Sequence, residues 1–200
     1  MSSAETRYRL AAISILLLIT VLAVTYSEQY AQMFRWLLES SIPLIYDRFD
    51  TYQLAIIKNK SEWGYQLLAN NTAAITVAQT TLPANLGVTA FTLIAHSIQH
   101  ILFFNLVLIG SIFIYRLDYR KLLALSPLAI VALELIDIPM VLTGSIEDLL
   151  LSQFDPTHHE TSIRIIWMNF LTNGGRIGLA MFAAWMIVIG CRLSVKKQTL

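Results

Sequence analysis

Glu134 and Asp137 stand inside "ALELIDIPM", a stretch that otherwise reads as a membrane helix. At about 100° per residue the two carboxylates are about 60° apart and share one helix face. Charged and unpaired at the centre of a bilayer, each costs on the order of 2.5–3.5 kcal/mol on an insertion scale, so each needs a cation, a hydrogen bond or a proton. The last apolar segment offers a cation. There Asn169, Asn173 and Arg176 recur at i, i+4 and i+7 as a polar stripe, within an arc of about 60°. An Arg176–carboxylate pair between two spans answers the need of one acid, and Gly174, Gly175 and Gly178 beside the stripe would let a neighbouring helix come close. Polar groups of this kind also hold helices together without doing chemistry.

A second constellation is "HSIQH", where His96 and His100 lie one turn apart with Gln99 close by. That spacing lets two imidazoles hold one metal ion, and Glu134 or Asp137 would complete the ligand set. His96, His100, Glu134 and Asp137 are therefore a candidate site for a transition metal or haem, with a carboxylate as ligand or proton relay. No diagnostic motif demands a cofactor. "HSIQH" lacks the central Glu of a zinc-protease helix, and histidines at a membrane interface more often have no ligand. His158, His159 and Glu160 of "THHE" follow in a loop, where adjacent histidines usually face water. A metal-dependent intramembrane hydrolase using the same cluster is a weaker alternative. Cys191 lies at the far end of the last span from every histidine, no Ser-centred elbow or phosphate-cradling loop occurs, and a non-enzyme is favoured.

The elements that position these groups follow from composition. The 200 residues are 56% hydrophobic and 14% charged, with a mean hydropathy of +0.61, more apolar surface than one soluble core hides. A formal charge of +1 gives no field for nucleic acid. Four stretches approach the roughly 20 apolar residues that a spanning helix needs: Leu10 to Thr25, Phe91 to Tyr115, Leu122 to Thr143 and Ile163 to Ile189. The basic flanks Arg7, Arg9, Arg116, Arg120, Lys121, Arg192, Lys196 and Lys197 all fall on one side, which predicts both termini in the cytoplasm.

The fold expected is an all-α membrane protein with four transmembrane helices, N-in and C-in, and a small mixed α/β extracytoplasmic insertion between the first and second. Its parts are residues 1–26 (tail and uncleaved first anchor), 27–90 (the insertion), 91–192 (a three-helix region) and 193–200 (a cytoplasmic tail). Within the insertion, Tyr30, Met33, Phe34 and Leu37 make an amphipathic helix interrupted by Pro43, while "TYQLAII", "WGYQLLA" and "AAITVAQT" alternate like strands. Residues 145–154 are expected as a separate helix on the outer membrane surface, opened by Ser145 and Asp148 at capping-box spacing.

One anchor, a strand-bearing segment of about sixty residues, then "NLGVTAFTLIAHSIQHILFFNLVLIGSIFIY", the connector "RLDYRK" and the last span "WMNFLTNGGRIGLAMFAAWMIVIG" resemble the exosortase-associated membrane proteins, particularly those accompanying the H-type exosortase. The likeness is one of order and spacing over most of the chain. It implies a multi-pass bacterial inner-membrane accessory protein of surface-protein sorting, without transpeptidase chemistry. The function expected is thus a non-catalytic accessory of an envelope assembly or sorting system. Its partners would be the bilayer, another integral membrane protein and an extracytoplasmic client. The alternative is the metal- or haem-binding subunit described above.

Overall fold

The computed structural model describes residues 3–77, 80–115, 117–159 and 161–198. Arg116 of the basic connector and Glu160 of "THHE" lie outside the described residues. Four helical stretches are long and apolar enough to cross a membrane, Thr6–Thr25, Ile94–Ile114, Tyr119–Phe154 and Ile163–Arg192, which makes this a multi-pass membrane protein. Helices α1 (Ser3–Thr25) and α2 (Ser27–Ile45) precede strands β1 (Thr51–Asn59), β2 (Glu62–Asn70), β3 (Ile75–Val77), β4 (Thr80–Leu82) and β5 (Gly87–Leu93). Then come α3 (Ile94–Ile114), α4 (Tyr119–Phe154), a single turn α5 (Pro156–His159), α6 (Ile163–Phe170), a π-helical turn (Leu171–Gly175) and α7 (Arg176–Gln198).

The chain divides into two compact units. One comprises Met1–Ser27, Ile98–Leu133 and Ile177–Leu200, and its described secondary-structure elements are all helices. Leu16, Phe104, Leu108, Ile112, Leu122, Ala180 and Ala184 are fully buried there. Lipid is as apolar as these side chains, so polar contacts add specificity to their packing. The Asn105 amide donates to the Thr20 hydroxyl at 2.9 Å and to the Leu16 carbonyl at 3.3 Å, fastening α3 to α1. Arg9 Nε donates to the Tyr119 hydroxyl at 3.0 Å.

The other unit comprises Glu28–Ser97 and Glu134–Arg176. Its sheet has the order β1-β2-β5, all antiparallel, with β3 and β4 as a separate hairpin. Tyr65, Leu67 and Ala69 of β2 and Val88, Ala90 and Thr92 of β5 are buried at period two, so one face of the sheet is the core face. Against it α2 brings Ala31, Phe34, Leu38 and Ile42, spaced as one helical stripe. Gly64 has no alternative in this sheet: a Cβ there would stand 2.1 Å from the Phe91 ring and 2.8 Å from the Thr92 carbonyl oxygen. The edge of β1 is partly covered, because the Glu39 carboxylate accepts the Leu54 N–H at 3.1 Å.

Several boundaries differ from the sequence expectation. β5 takes Phe91, which hydropathy alone assigns to the second span, because "GVTAFTL" alternates and pairs with β2. Within the strand-like "AAITVAQT", Ile75–Val77 form the short β3 and Thr80 opens β4, while Ala78 and Gln79 lie outside the described residues. Pro43 sits in the last turn of α2 without interrupting it. The separate surface helix at 145–154 is absent, for α4 runs unbroken from Tyr119 to Phe154. Ser145 is no cap: its hydroxyl donates back to the Val141 carbonyl at 2.7 Å inside the helix. Gly144 does not stop α4 either. A Cβ there would lie 2.8 Å from Met168 Cβ and 2.9 Å from the Arg164 carbonyl oxygen, so the glycine is a point of close approach between α4 and α6. The backbone of α7 continues to Gln198, through most of the stretch expected as a tail.

Candidate functional site

Glu134 and Asp137 are both completely buried in the sheet-bearing unit. Arg176, 3% exposed, directs Nε at both Asp137 oxygens at 2.8 Å. The pair is charge-assisted and removed from water, the setting in which such contacts are strong and their rupture costly. Its geometry depends on a break in the preceding helix. Asn173 (φ −92°, ψ 26°) and Gly174 (φ 103°, ψ −6°) leave the helical region, and the positive φ suits glycine. Gly175 is crowded as well, since a Cβ would fall 2.5 Å from the Phe170 carbonyl oxygen and ring. "NGG" is therefore a built-in bend, and α7 begins at Arg176.

Glu134 takes a different partner. The Tyr30 hydroxyl of α2 donates to its Oε1 at 2.7 Å. Burial and then the Glu134 charge push the Tyr30 phenol well above its usual range, so it stays a donor. Burial and Glu134 likewise raise Tyr65, whose hydroxyl donates to the Ala31 carbonyl at 3.5 Å. Tyr30→Phe removes the phenol donor to a buried carboxyl group, and we expect a loss of about 1–3 kcal/mol in detergent melts. A Glu134→Gln background should shrink that loss, whereas an unchanged effect would show that the contact carries none of it.

Asn169 and Asn173 do not join this cluster. Both are exposed, and the Asn173 amide nitrogen caps the Asn169 carbonyl of its own helix at 2.8 Å. His96 Nδ1 lies 3.3 Å from the Thr92 hydroxyl, and His100, one turn on along α3, is fully buried and falls in the other unit. Among the described residues, no three His, Cys, Asp or Glu side chains stand together as a metal-holding group. Cys191 is buried.

Sequence reasoning missed a second polar assembly in the same unit. Glu147, with 7% of its side chain exposed, accepts Arg164 Nη1 at 2.9 Å and the Ser162 hydroxyl at 3.0 Å. Arg164 Nη2 also donates to the Ile45 carbonyl at the end of α2 at 3.0 Å, and its guanidinium lies 4.9 Å from the Tyr46 ring centroid. Burial pushes the Tyr46 phenol upward. One arginine thus joins the ends of α2, α4 and α6. Beside it, Arg48, Thr76, Glu147, Asp155, His158 and Ser162 line a cavity of about 350 Å³. His158 Nδ1 bonds Asp155 at 2.8 Å, and this bond with the Thr157 hydroxyl holds the Asp155 carboxyl below the usual range. His159 Nε2 meets Asp148 Oδ1 at 2.7 Å. Nothing in the local pattern around Glu147 announces a partner seventeen residues away.

In comparison with known proteins, no family model, no curated protein and no solved structure matches this chain.

Proposed function

We propose that the chain is a non-catalytic accessory protein of a bacterial inner membrane, serving envelope assembly or surface-protein sorting, with both termini in the cytoplasm and the α/β insertion outside. The observation that supports it most is the use made of the intramembrane acids: Glu134 is bonded to Tyr30 and Asp137 to Arg176. These contacts fasten α2, with the sheet it covers, to α4 and the start of α7. The Glu147–Arg164 assembly repeats the fastening at the other end of α2. Polar groups used this way make a firm mount for a domain that meets another protein. The basic flanks support an outward orientation of that domain, and the resemblance of the layout to exosortase-associated membrane proteins supports a client among secreted or surface-anchored proteins.

The test is photocrosslinking in native membranes from Thr76, an exposed residue lining the 350 Å³ cavity. A discrete adduct with an exported or integral membrane protein is expected. The competing reading, a metal or haem subunit using His96 and His100 with Glu134 or Asp137, expects a stoichiometric metal or a Soret band in the purified protein, lost in His100→Ala. That result, with no adduct, overturns the proposal.

A further inference from the structure

We infer that the cavity bordered by Arg48, Thr76, Glu147, Asp155, His158 and Ser162 is a binding site for a small organic monocarboxylate, held by the Arg48 guanidinium. All of its lining belongs to the sheet-bearing unit. Its volume of about 350 Å³ lies within the roughly 300–1,000 Å³ of small-molecule sites. The site stands on its own geometry and does not depend on the accessory role proposed above.

The acids on the wall are already answered. Glu147 accepts from Arg164 at 2.9 Å and from the Ser162 hydroxyl at 3.0 Å. Asp155 accepts from the Thr157 hydroxyl and is bonded to His158, each at 2.8 Å. Arg48 is the exception. It is half-buried, and its Nη1 is sealed from solvent with no hydrogen-bond acceptor among the described residues. Its guanidinium carbon lies 5.9 Å from the Tyr46 ring centroid, a contact that supplies no anion. A partly desolvated cation is stabilised by an anion brought to it, and the planar fork of arginine matches the two oxygens of a carboxylate.

A second element favours negative charge at the same place. Thr161 and Ser162, which lead into α6, border the cavity, yet Ser162 gives its hydroxyl to Glu147 and does not cap the helix. The first N–H groups of α6 therefore keep their partial positive charge without that cap. Glu147 and Asp155 limit the anion to a single charge, since a phosphate dianion would meet two carboxylates on the wall. Val77 and Leu151, 2% and 6% exposed, add apolar lining for an aliphatic body. A carboxylate on a short, partly apolar stem answers all of these features, whether it comes as a free acid or as the end of a polypeptide.

The full chain in lipid nanodiscs is treated with the arginine reagent phenylglyoxal, and modification of Arg48 is followed by peptide mass spectrometry. One or both of butyrate and N-acetylalanine, standing for a free acid and a polypeptide end, should slow that modification, and the tighter of the two names the source. Their uncharged amides should give no protection. Calorimetric titration with the better protecting acid should show binding weakened about tenfold or more in Arg48→Gln. Equal protection by acids and amides, protection by neither acid, or tighter binding of dimethyl phosphate than of either acid would overturn the inference. The protection assay uses the unaltered chain, so it decides the matter even where Arg48→Gln folds poorly.

Discussion

Arg176→Leu should lower stability in detergent by about 3–5 kcal/mol, the cost of leaving a buried carboxylate without its cation. Asp137 is completely buried and receives Arg176 Nε on both oxygens at 2.8 Å, so no water replaces the lost donor. Adding Asp137→Asn removes the stranded charge, and the double variant should recover much of the loss although it lacks the same arginine. Chemical or thermal unfolding of the four proteins of this cycle measures the difference. Equal losses for Arg176→Leu with and without Asp137→Asn would falsify the view that this pair, and not some other role of Arg176, carries the energy.

Gly144→Val should cost about 3 kcal/mol through overpacking. The new Cβ would lie 2.8 Å from Met168 Cβ and 2.9 Å from the Arg164 carbonyl oxygen. The second of these is backbone, so α6 must retreat from α4 instead of merely turning a side chain aside. Retreat also draws Arg164 away from Glu147 and from the Ile45 carbonyl. Alanine is a useful gauge here: it gains roughly 1 kcal/mol of helix propensity over glycine, so any net loss in Gly144→Ala understates the steric effect. Melting of the two variants beside Glu147→Gln tests the linkage. A Gly144→Ala protein more stable than the parent by the full helix-propensity gain of roughly 1 kcal/mol would mean that the two helices part without penalty.

Span number and the sheet-bearing insertion were legible because hydropathy and period-two alternation report burial directly. Asp137 and Arg176 could be paired in advance for an energetic reason, that an acid inside an apolar run must find a partner and one span offered a cation at a comparable depth. The same helical arithmetic failed for Asn169 and Asn173. In an uninterrupted helix Asn169 and Arg176 are about 20° apart, yet one is exposed and the other buried. The π turn and the φ of 103° at Gly174 separate their faces. Small residues in "NGG" mark either close packing or a break, and sequence does not distinguish the two. Tyr30 reads in the sequence only as part of the amphipathic face of its helix, because the partner of its hydroxyl stands 104 residues away, and Phe91 is misplaced because an apolar strand residue beside a span looks like its first turn.

The Glu39 carboxylate on the Leu54 N–H makes the three-stranded sheet asymmetric. Any polypeptide seeking to lengthen it beside β1 must first dislodge an anion from the hydrogen-bonding row, whereas among the described residues β5 pairs with β2 alone. The β1 rim is thereby guarded against an added strand.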